Sequence, residues 1–282
     1  MADVYVNNWF EFMTAIAVQG DKVILPENGD WDMADVLPYG INGFQILCAE
    51  IDGRGTAIKN LLVTKWIEIG PGVTIKNLQM LDWMCSSADP DVDPSPGGNA
   101  VFYGGPLEMQ NCIFSGILGY NTGFFYDNAI TMYNCSVNIE TSSSFFMFDG
   151  SGYFSNTGQL YYCRIEVKGN NNVSAFPIQD ECHFSEILIY APNLDDNTGP
   201  IGFKSHNFSG CVLRGNCPLI TTDWSYDMFT GFVSVYDTAM FADTFTPNDP
   251  LMLVGCTDEQ LKNPLYLREK GFPIVIPDGG DA

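Results

Sequence analysis

The amino-acid sequence predicts an all-β solenoid, in which one chain winds short strands into stacked laps. Three observations predict it: cysteine recurs at equivalent points of alternating apolar runs, the phrase IKNL occurs at 58–61 and 75–78, and Asn-Cys follows an apolar-x-apolar pair in LEMQNC and ITMYNC. Laps of roughly 17–29 residues, made of short strands and turns rich in Gly, Asn and Pro, suit a solenoid. A β-sandwich also contains many short strands, and the three recurrences favour the solenoid over it.

Period-two alternation of apolar residues predicts strands at 67–69, 73–75, 107–109, 130–132 and 187–189. Helical periodicity is nearly absent between residues 40 and 250. The recurring cysteines are spaced by 23, 28, 19 and 29 residues along the series Cys112, Cys135, Cys163, Cys182 and Cys211. We expect each of them to stack, as a small apolar side chain, on the cysteine of the next lap. Beside them, Asn111 or Asn134 is expected to bond across laps in the turn.

Several phrases resemble coils of the right-handed parallel β-helices of the pectin-lyase-like superfamily: IEIGPGVTIKNLQM, LEMQNCIFSG and ITMYNCSVNI. The segment WFEFMTAIAVQGDKVILPENGDW is similar to the capping helix and first strand of that superfamily. The resemblance covers most of 1–256 and implies a right-handed single-stranded parallel β-helix with an N-terminal capping helix. It implies one β-helix domain over 1–256, including a cap over about 1–30, and a short helical or extended tail over 257–282. Roughly nine laps, each about 4.8 Å thick, would make a rod near 40 Å long.

The N-terminal cap is readable from the residues themselves. Asn7 or Asn8 can cap a helix that begins at Trp9. At helical spacing after it, Trp9, Phe12, Met13 and Ile16 form one apolar face. We expect this helix to lie over the first lap, and a partner-binding helix is the alternative.

The C-terminal tail changes character. Thr257 and Gln260 form a capping box for a short helix over 258–263, and LYLREKG continues to Gly271. The phrase FPIVIP, at 272–277, is an extended apolar segment with prolines near both ends. It either closes the last lap or adds a strand to a neighbouring subunit.

The charge and cysteine content exclude several classes of partner and site. The formal net charge of −22 makes duplex DNA and anionic lipid poor partners. No secretory signal or membrane-spanning stretch is visible, which predicts synthesis in a reducing cytoplasm. Nine cysteines without a C-x-x-C pair, and only two histidines, disfavour a zinc site and predict free buried thiols. We therefore expect no cofactor.

Motifs for chemistry are weak. The lyase and galacturonase patterns of polysaccharide-cleaving β-helices are absent, and Asp195-Asp196 lies in a turn sequence. Carboxylates from different laps could still pair across a groove, and the outward candidates are Asp127, Asp149, Glu166 and Asp180. The run Asp89, Asp91 and Asp93 offers oxygen ligands for Ca²⁺ but lacks the EF-hand glycine and glutamate, so a rigid acidic loop is the favoured interpretation.

Aromatic runs at 119–128, 141–156 and 222–245 exceed what a narrow coil can bury, which predicts a protein interface or a sugar-stacking platform. The protein interface is favoured because no catalytic pattern accompanies the aromatics. The predicted interface residues, with those of the tail, are Phe124, Phe125, Tyr126, Phe145, Phe146, Phe148, Trp224, Tyr226, Phe229, Phe272, Ile274 and Ile276.

Together these features resemble those of tailed-phage virion proteins. They favour a non-enzymatic structural protein, an oligomeric capsid decoration (cement) protein first and a tailspike or fibre component next. The expected partners are further copies of the chain, as a homotrimer, and the major capsid protein. The alternatives are a polysaccharide lyase or glycoside hydrolase of the same fold, and a carbohydrate-binding adhesin with a glycan ligand.

Overall fold

The computed structural model describes residues 1–85, 99–119, 122–126, 129–141, 148–149, 158–169, 181–183, 185–190, 207–209, 212–215, 234–235 and 252–253. Two helices lie in this part of the chain, α1 over Trp9–Ile16 and α2 over Met33–Val36. The remaining elements are strands, and they form three sheets. The all-β class predicted from the sequence is confirmed.

Sheet A contains, in spatial order, β1 Asp3–Tyr5, β2 Lys22–Ile24, β5 Glu50–Asp52, β9 Val73–Lys76, β12 Leu107–Gln110, β15 Ile130–Tyr133, β18 Gly158–Tyr161, β20 Glu181–His183 and β22 Asn207–Ser209. Sheet B contains β3 Asp30–Asp32, β6 Ala57–Lys59, β7 Leu62–Val63, β10 Gln79–Cys85, β13 Ile113–Leu118, β16 Ser136–Thr141, β19 Arg164–Gly169, β21 Glu186–Tyr190, β23 Val212–Gly215, β24 Ser234–Val235 and β25 Met252–Leu253. Sheet C contains β4 Phe44–Ile46, β8 Ile67–Ile69, β11 Asn99–Gly104, β14 Thr122–Tyr126 and β17 Phe148–Asp149.

The chain visits the three sheets in a constant order. From β2 to β19 it passes from sheet A to sheet B to sheet C and back to sheet A, with β7 as a second short strand in sheet B. Every strand pairing among the described residues is parallel. Each new strand therefore lies beside the strand of the same sheet from the preceding passage.

Apolar side chains of the same register stack to form the core. In sheet A the buried column is Val23, Ile51, Ile75, Met109, Met132 and Leu160. Because side chains alternate across a strand, the intervening positions of these strands face outward and carry polar groups, except for the buried Ile24. The predicted alternation at 67–69, 73–75, 107–109, 130–132 and 187–189 falls on β8, β9, β12, β15 and β21, so those five strands are confirmed.

Three successive turns from sheet A to sheet B use asparagine in the left-handed backbone region. Asn77, Asn111 and Asn134 have φ values of 54°, 52° and 50°. Asparagine tolerates this conformation better than most residues. The Asn134 amide donates to the Asn111 side-chain oxygen over 2.9 Å, and the Asn111 amide donates to that of Asn77 over 3.2 Å. The predicted bonding of Asn111 and Asn134 across passages is confirmed.

The predicted capping helix is also confirmed. The Asn8 side chain caps α1 by accepting from the backbone N–H of Glu11 over 3.0 Å. Trp9, Phe12 and Ile16 are buried over the first strands, and Met13 packs beside them. Trp9 meets Phe44 and Phe12 meets Trp31, each edge to face.

Two details of the predicted repeat are wrong. The two IKNL phrases do not occupy one position of successive passages, because the first enters β6 of sheet B and the second β9 of sheet A. What they share is a local turn, a left-handed Asn60 or Asn77 followed by a buried Leu61 or Leu78.

The second correction concerns Cys182, which does not continue the cysteine series. It lies within β20 in register with Leu160. Ser185 follows the series instead, and its hydroxyl accepts from the Cys163 N–H over 3.0 Å. Cys211 and the predicted boundary at 256/257 lie outside the described residues.

Candidate interaction surface

An apolar column crosses the outer face of sheet B. Leu62 lies in register with Met84, and Met84 with Ile117. Met84 and Ile117 are 47% and 48% exposed, and Leu62 is half-buried. Their chain neighbours Val63, Cys85 and Leu118 point into the core, as the alternation of a strand requires. We call Leu62, Met84 and Ile117 the apolar column.

Charged residues follow the apolar column on the next two strands. In the same register, Glu140 follows Ile117 and Lys168 follows Glu140. On β19, Glu166 lies between Arg164 at 3.3 Å and Lys168 at 3.0 Å. A hydrogen bond from Lys168, aided by Arg164, lowers the pKa of Glu166. An apolar centre beside a charged border is the usual composition of a protein interface.

The ion pairing also bears on Glu166 as a candidate catalytic carboxylate. Its lowered pKa keeps it ionised at neutral pH, which does not suit a general acid. The other three candidates, Asp127, Asp149 and Asp180, have no described side chain.

Tyrosines mark the edge where sheet A turns into sheet B. The rings of Tyr133 and Tyr161 stack with centroids 4.9 Å apart and planes 13° apart. The separation matches the spacing of neighbouring strands, so each ring covers a face of the other. Tyr162, in the left-handed turn position, is 63% exposed. We call Tyr133, Tyr161 and Tyr162 the tyrosine edge. Tyr133 is 39% exposed, and Ile113, at the start of β13, is 40% exposed.

The outer face of sheet A carries a neutralised charge cluster. Glu50 lies between Lys22 at 3.1 Å and Lys76 at 2.6 Å, and Asp52 lies about one ångström farther from both lysines, at 4.0 and 3.9 Å. Burial raises the pKa of Glu50, but hydrogen bonds from Lys76 and Lys22 outweigh it and leave that pKa lowered. Two cations and two anions here cancel, so the cluster links β2, β5 and β9 without offering a charge to a ligand.

The side chains of five of the nine cysteines are described, and all five are free and buried: Cys48, Cys85, Cys112, Cys135 and Cys163. This confirms the prediction of free buried thiols for that part of the chain. The Cys112, Cys135 and Cys163 thiols each approach the carbonyl two residues earlier at 3.3 Å. A hydrogen bond shared between neighbouring thiols lowers the pKa of Cys112 and raises that of Cys135 to about 12.

No group of three or more His, Cys, Asp or Glu side chains among the described residues is arranged to hold a metal ion. The Asp89, Asp91 and Asp93 run lies outside those residues. Neither described helix is long and apolar enough to cross a membrane.

The structure overturns two of the predicted interface residues. Phe124 and Phe125 are buried, at 0% and 1% exposure. Phe124 packs edge to face against Phe114 at 4.7 Å, and Phe125 stacks on Phe102 at 5.6 Å. The interior is wide enough to take aromatic rings from two neighbouring strands of sheet C, so Phe124 and Phe125 of the run at 119–128 belong to the core.

The other predicted interface residues are not placed by side chain. Tyr126 lies in β14 and Phe148 in β17, where only the backbone is described. The predicted interface residues outside the described residues are Phe145, Phe146, Trp224, Tyr226, Phe229, Phe272, Ile274 and Ile276.

Sequence reasoning missed the apolar column and the tyrosine edge, although signals for both were present. Met84 and Ile117 are apolar residues directly before a buried one, at the polar phase of the alternation. Tyr133 and Tyr161 occupy the same place before the Asn-Cys and Tyr-Cys pairs. Searches of family models, of curated proteins and of solved structures found no match to the chain.

Proposed function

We propose that this chain is a right-handed parallel β-helix that serves as a non-enzymatic structural protein of a tailed-phage particle. The role proposed first is an oligomeric capsid decoration protein, and the role proposed next is a tailspike or fibre component. The constant order of sheets A, B and C and the in-register parallel pairing support the coiled architecture. The handedness and the phage origin rest on the resemblance described above.

The observation that carries the proposed role is the apolar column. Leu62, Met84 and Ile117 stand on three paired strands of one sheet, so their relative positions are fixed before any partner binds. A pre-ordered apolar surface loses little conformational entropy on association. Exposed apolar clusters of this kind commonly mark interaction sites. We assign the apolar column to contact with the major capsid protein.

Charge supports an outward position on the particle. A chain with a formal charge of −22 is repelled by packaged DNA. The charged border formed by Arg164, Glu166 and Lys168 contains two cations and one anion. Charges of mixed sign at a border help to fix how two partners are aligned more than they raise the affinity.

The alternative functions stay predictions. A sugar usually stacks on an exposed aromatic face, whereas Tyr133 and Tyr161 stack on each other. The facing sides of these two rings are therefore closed to a sugar.

Quantitative mass spectrometry of density-banded phage particles, from a lysate in which the gene is expressed, tests the proposed role. We expect the chain in the particles at many copies, in fixed proportion to the major capsid protein. In parallel, the purified chain is expected to release no reducing or unsaturated ends from acidic polysaccharides. Absence from the particles, or cleavage that is lost when one outward carboxylate is replaced, would overturn the proposal.

A further inference from the structure

The strand at the N-terminal end of sheet A has one unpaired edge. Among the described residues, β1 pairs with β2 alone, through Asp3, Val4 and Tyr5. Its other edge presents backbone N–H and C=O groups, which is the usual template for an added strand.

An open groove of about 520 Å³ runs between β1 and the outer side of α1. Val4, Phe10 and Val18 give it an apolar lining, and Glu11 and Asp21 stand at its margin. Phe10 is 69% exposed and Val18 48% exposed. The groove thus combines main-chain pairing groups with uncovered apolar surface, which are the two components that recognise an extended peptide.

The chain itself contains a segment of matching size and character. FPIVIP places Pro273 and Pro277 on either side of three residues, 274–276, that keep their N–H groups. The edge of β1 is also three residues long. In an extended strand Ile274 and Ile276 point to the same side, where they match the apolar lining of the groove. Arg268 and Lys270, shortly before the segment, complement the two acidic side chains at the margin.

We propose that FPIVIP of one copy adds a strand to the β1 edge of a second copy, which joins copies head to tail. The nine strands of sheet A put its two ends about 38 Å apart at roughly 4.8 Å per step. Docking into the same chain would stretch and fix the connection along that length, whereas a head-to-tail neighbour avoids this cost. Repeated heterologous contacts close into a ring when the rotation allows it, and a ring of three copies is the homotrimer expected for the proposed function. The inference rests on the proposed function for this number of copies, whereas the contact itself is argued from the β1 edge, the groove and the tail segment.

The test places the photo-reactive residue benzoylphenylalanine at position 10 of the full chain. This labelled chain is mixed with a ¹⁵N-labelled wild-type chain before irradiation. Phe10 is exposed, so the replacement leaves the core unchanged. We expect cross-links between ¹⁴N and ¹⁵N chains that map to the peptide containing 271–277. Light scattering of the same sample is expected to give three times the 31.2 kDa chain mass.

Two variants sharpen the test. Ile274→Asp with Ile276→Asp should lower the cross-link yield about tenfold or more, because a carboxylate would be buried against apolar side chains. The control, Asp281→Asn in the same tail, should leave the yield unchanged.

Cross-links confined within one chain would overturn the inference. Cross-links to another segment, or no cross-link at all, would overturn it as well. None of these results bears on whether the chain is present in phage particles. Conversely, absence of the chain from the particles would contradict the proposed function but not a cross-link between the tail and the groove.

Discussion

At the scale of the residue, the left-handed asparagines carry more of the architecture than their exposure suggests. Asn77, Asn111 and Asn134 each turn the chain from sheet A to sheet B and bond to the asparagine of the neighbouring passage. Asp52 extends the row, because its carboxylate accepts from the Asn77 amide over 3.1 Å. The backbone conformation and the side-chain hydrogen bonds contribute separately to the stability of the fold, and substitutions can distinguish the two contributions.

Replacing Asn111 tests this division. Asn111→Ala should lower the free energy of unfolding by about 2 kcal/mol, because alanine resists the left-handed region and the amide bonds are lost. Asn111→Gly should cost only about 1 kcal/mol, since glycine adopts that region freely. Urea unfolding measures both.

The control for Asn111 is Asn138→Ala, on the exposed outer face of β16. It should change the free energy of unfolding by less than about 0.5 kcal/mol. Equal losses for Asn111→Ala and Asn111→Gly would show that the backbone conformation contributes nothing.

Buried thiols make the fold less stable at alkaline pH. Cys85 has no exposed surface, and burial raises its pKa to about 12. The pKa of an unfolded cysteine is about 8.5. A folded pKa above the unfolded one means that this contribution to stability is complete below pH 8.5. It is lost as the pH rises towards 12.

Cys85→Ala should therefore be less stable than the wild type near pH 7.5, and the difference should shrink by about 1–2 kcal/mol by pH 10. The measurement is urea unfolding of both proteins in reductant across that range. Val63→Ala removes a buried side chain in register with Cys85 that does not titrate. The loss of unfolding free energy in Val63→Ala should not change with pH. A loss in Cys85→Ala that is equally independent of pH would contradict the predicted titration of the Cys85 thiol.

At the scale of the element, α1 covers the first strands of the three sheets. Its start is fixed by reciprocal bonds, because Asn8 accepts from the Glu11 N–H and the Glu11 carboxylate accepts from the Asn7 N–H over 2.8 Å and from the Asn8 amide over 2.9 Å. Trp9 and Phe12 then cover the interior between the sheets. Without such a cap, a solenoid exposes its core and its strand edges.

Asn8→Ala should cost about 1 kcal/mol of stability through loss of the cap. Asn7→Ala is the matched control, because its backbone bond to Glu11 persists and its side chain makes only a long 3.4 Å contact. Thermal unfolding of the two variants should show a lower midpoint for Asn8→Ala alone. Equal midpoints would argue against capping by Asn8.

The elements that could be predicted from the sequence are those that depend on neighbouring residues alone. Alternation and capping chemistry are local, so β8, β9, β12, β15 and the start of α1 followed from neighbouring residues. Register between passages is not local. Cys182 resembled a member of the cysteine series, yet its pairing with Leu160 depends on how many residues the intervening turns take up.

The interaction surface was harder to predict for the same reason. Whether Phe124 faces inward depends on the width of the interior and on Phe114 and Phe102, which lie on other strands. The apolar column exists only once Leu62, Met84 and Ile117 come into register. A cluster of aromatic residues in the sequence shows only that the segment is hydrophobic. An apolar residue at a strand position where the alternation predicts a polar one is expected to be exposed, so this second pattern is the better predictor of an interaction surface.

At the scale of the whole molecule, we propose that two of the described surfaces form the contacts of an assembly. The apolar column offers a lateral contact, and the β1 edge with its groove offers a contact at one end. The charge cluster of sheet A is neutralised internally and takes part in neither. A rigid stack of parallel strands holds these surfaces at fixed spacing, which suits a protein that must match a repeating lattice.

We propose that the apolar column binds the chain to the phage particle. The most direct measurement is the amount of chain retained on density-banded phage particles, by quantitative mass spectrometry, for three full-length proteins: the wild type, Met84→Asp with Ile117→Asp, and the control Asn138→Asp on the same outer face. Both column residues are about half exposed, so folding should survive, as circular dichroism would verify. We expect equal retention for the wild type and the control and at least about tenfold less for the double variant. Full retention of a folded double variant would contradict it.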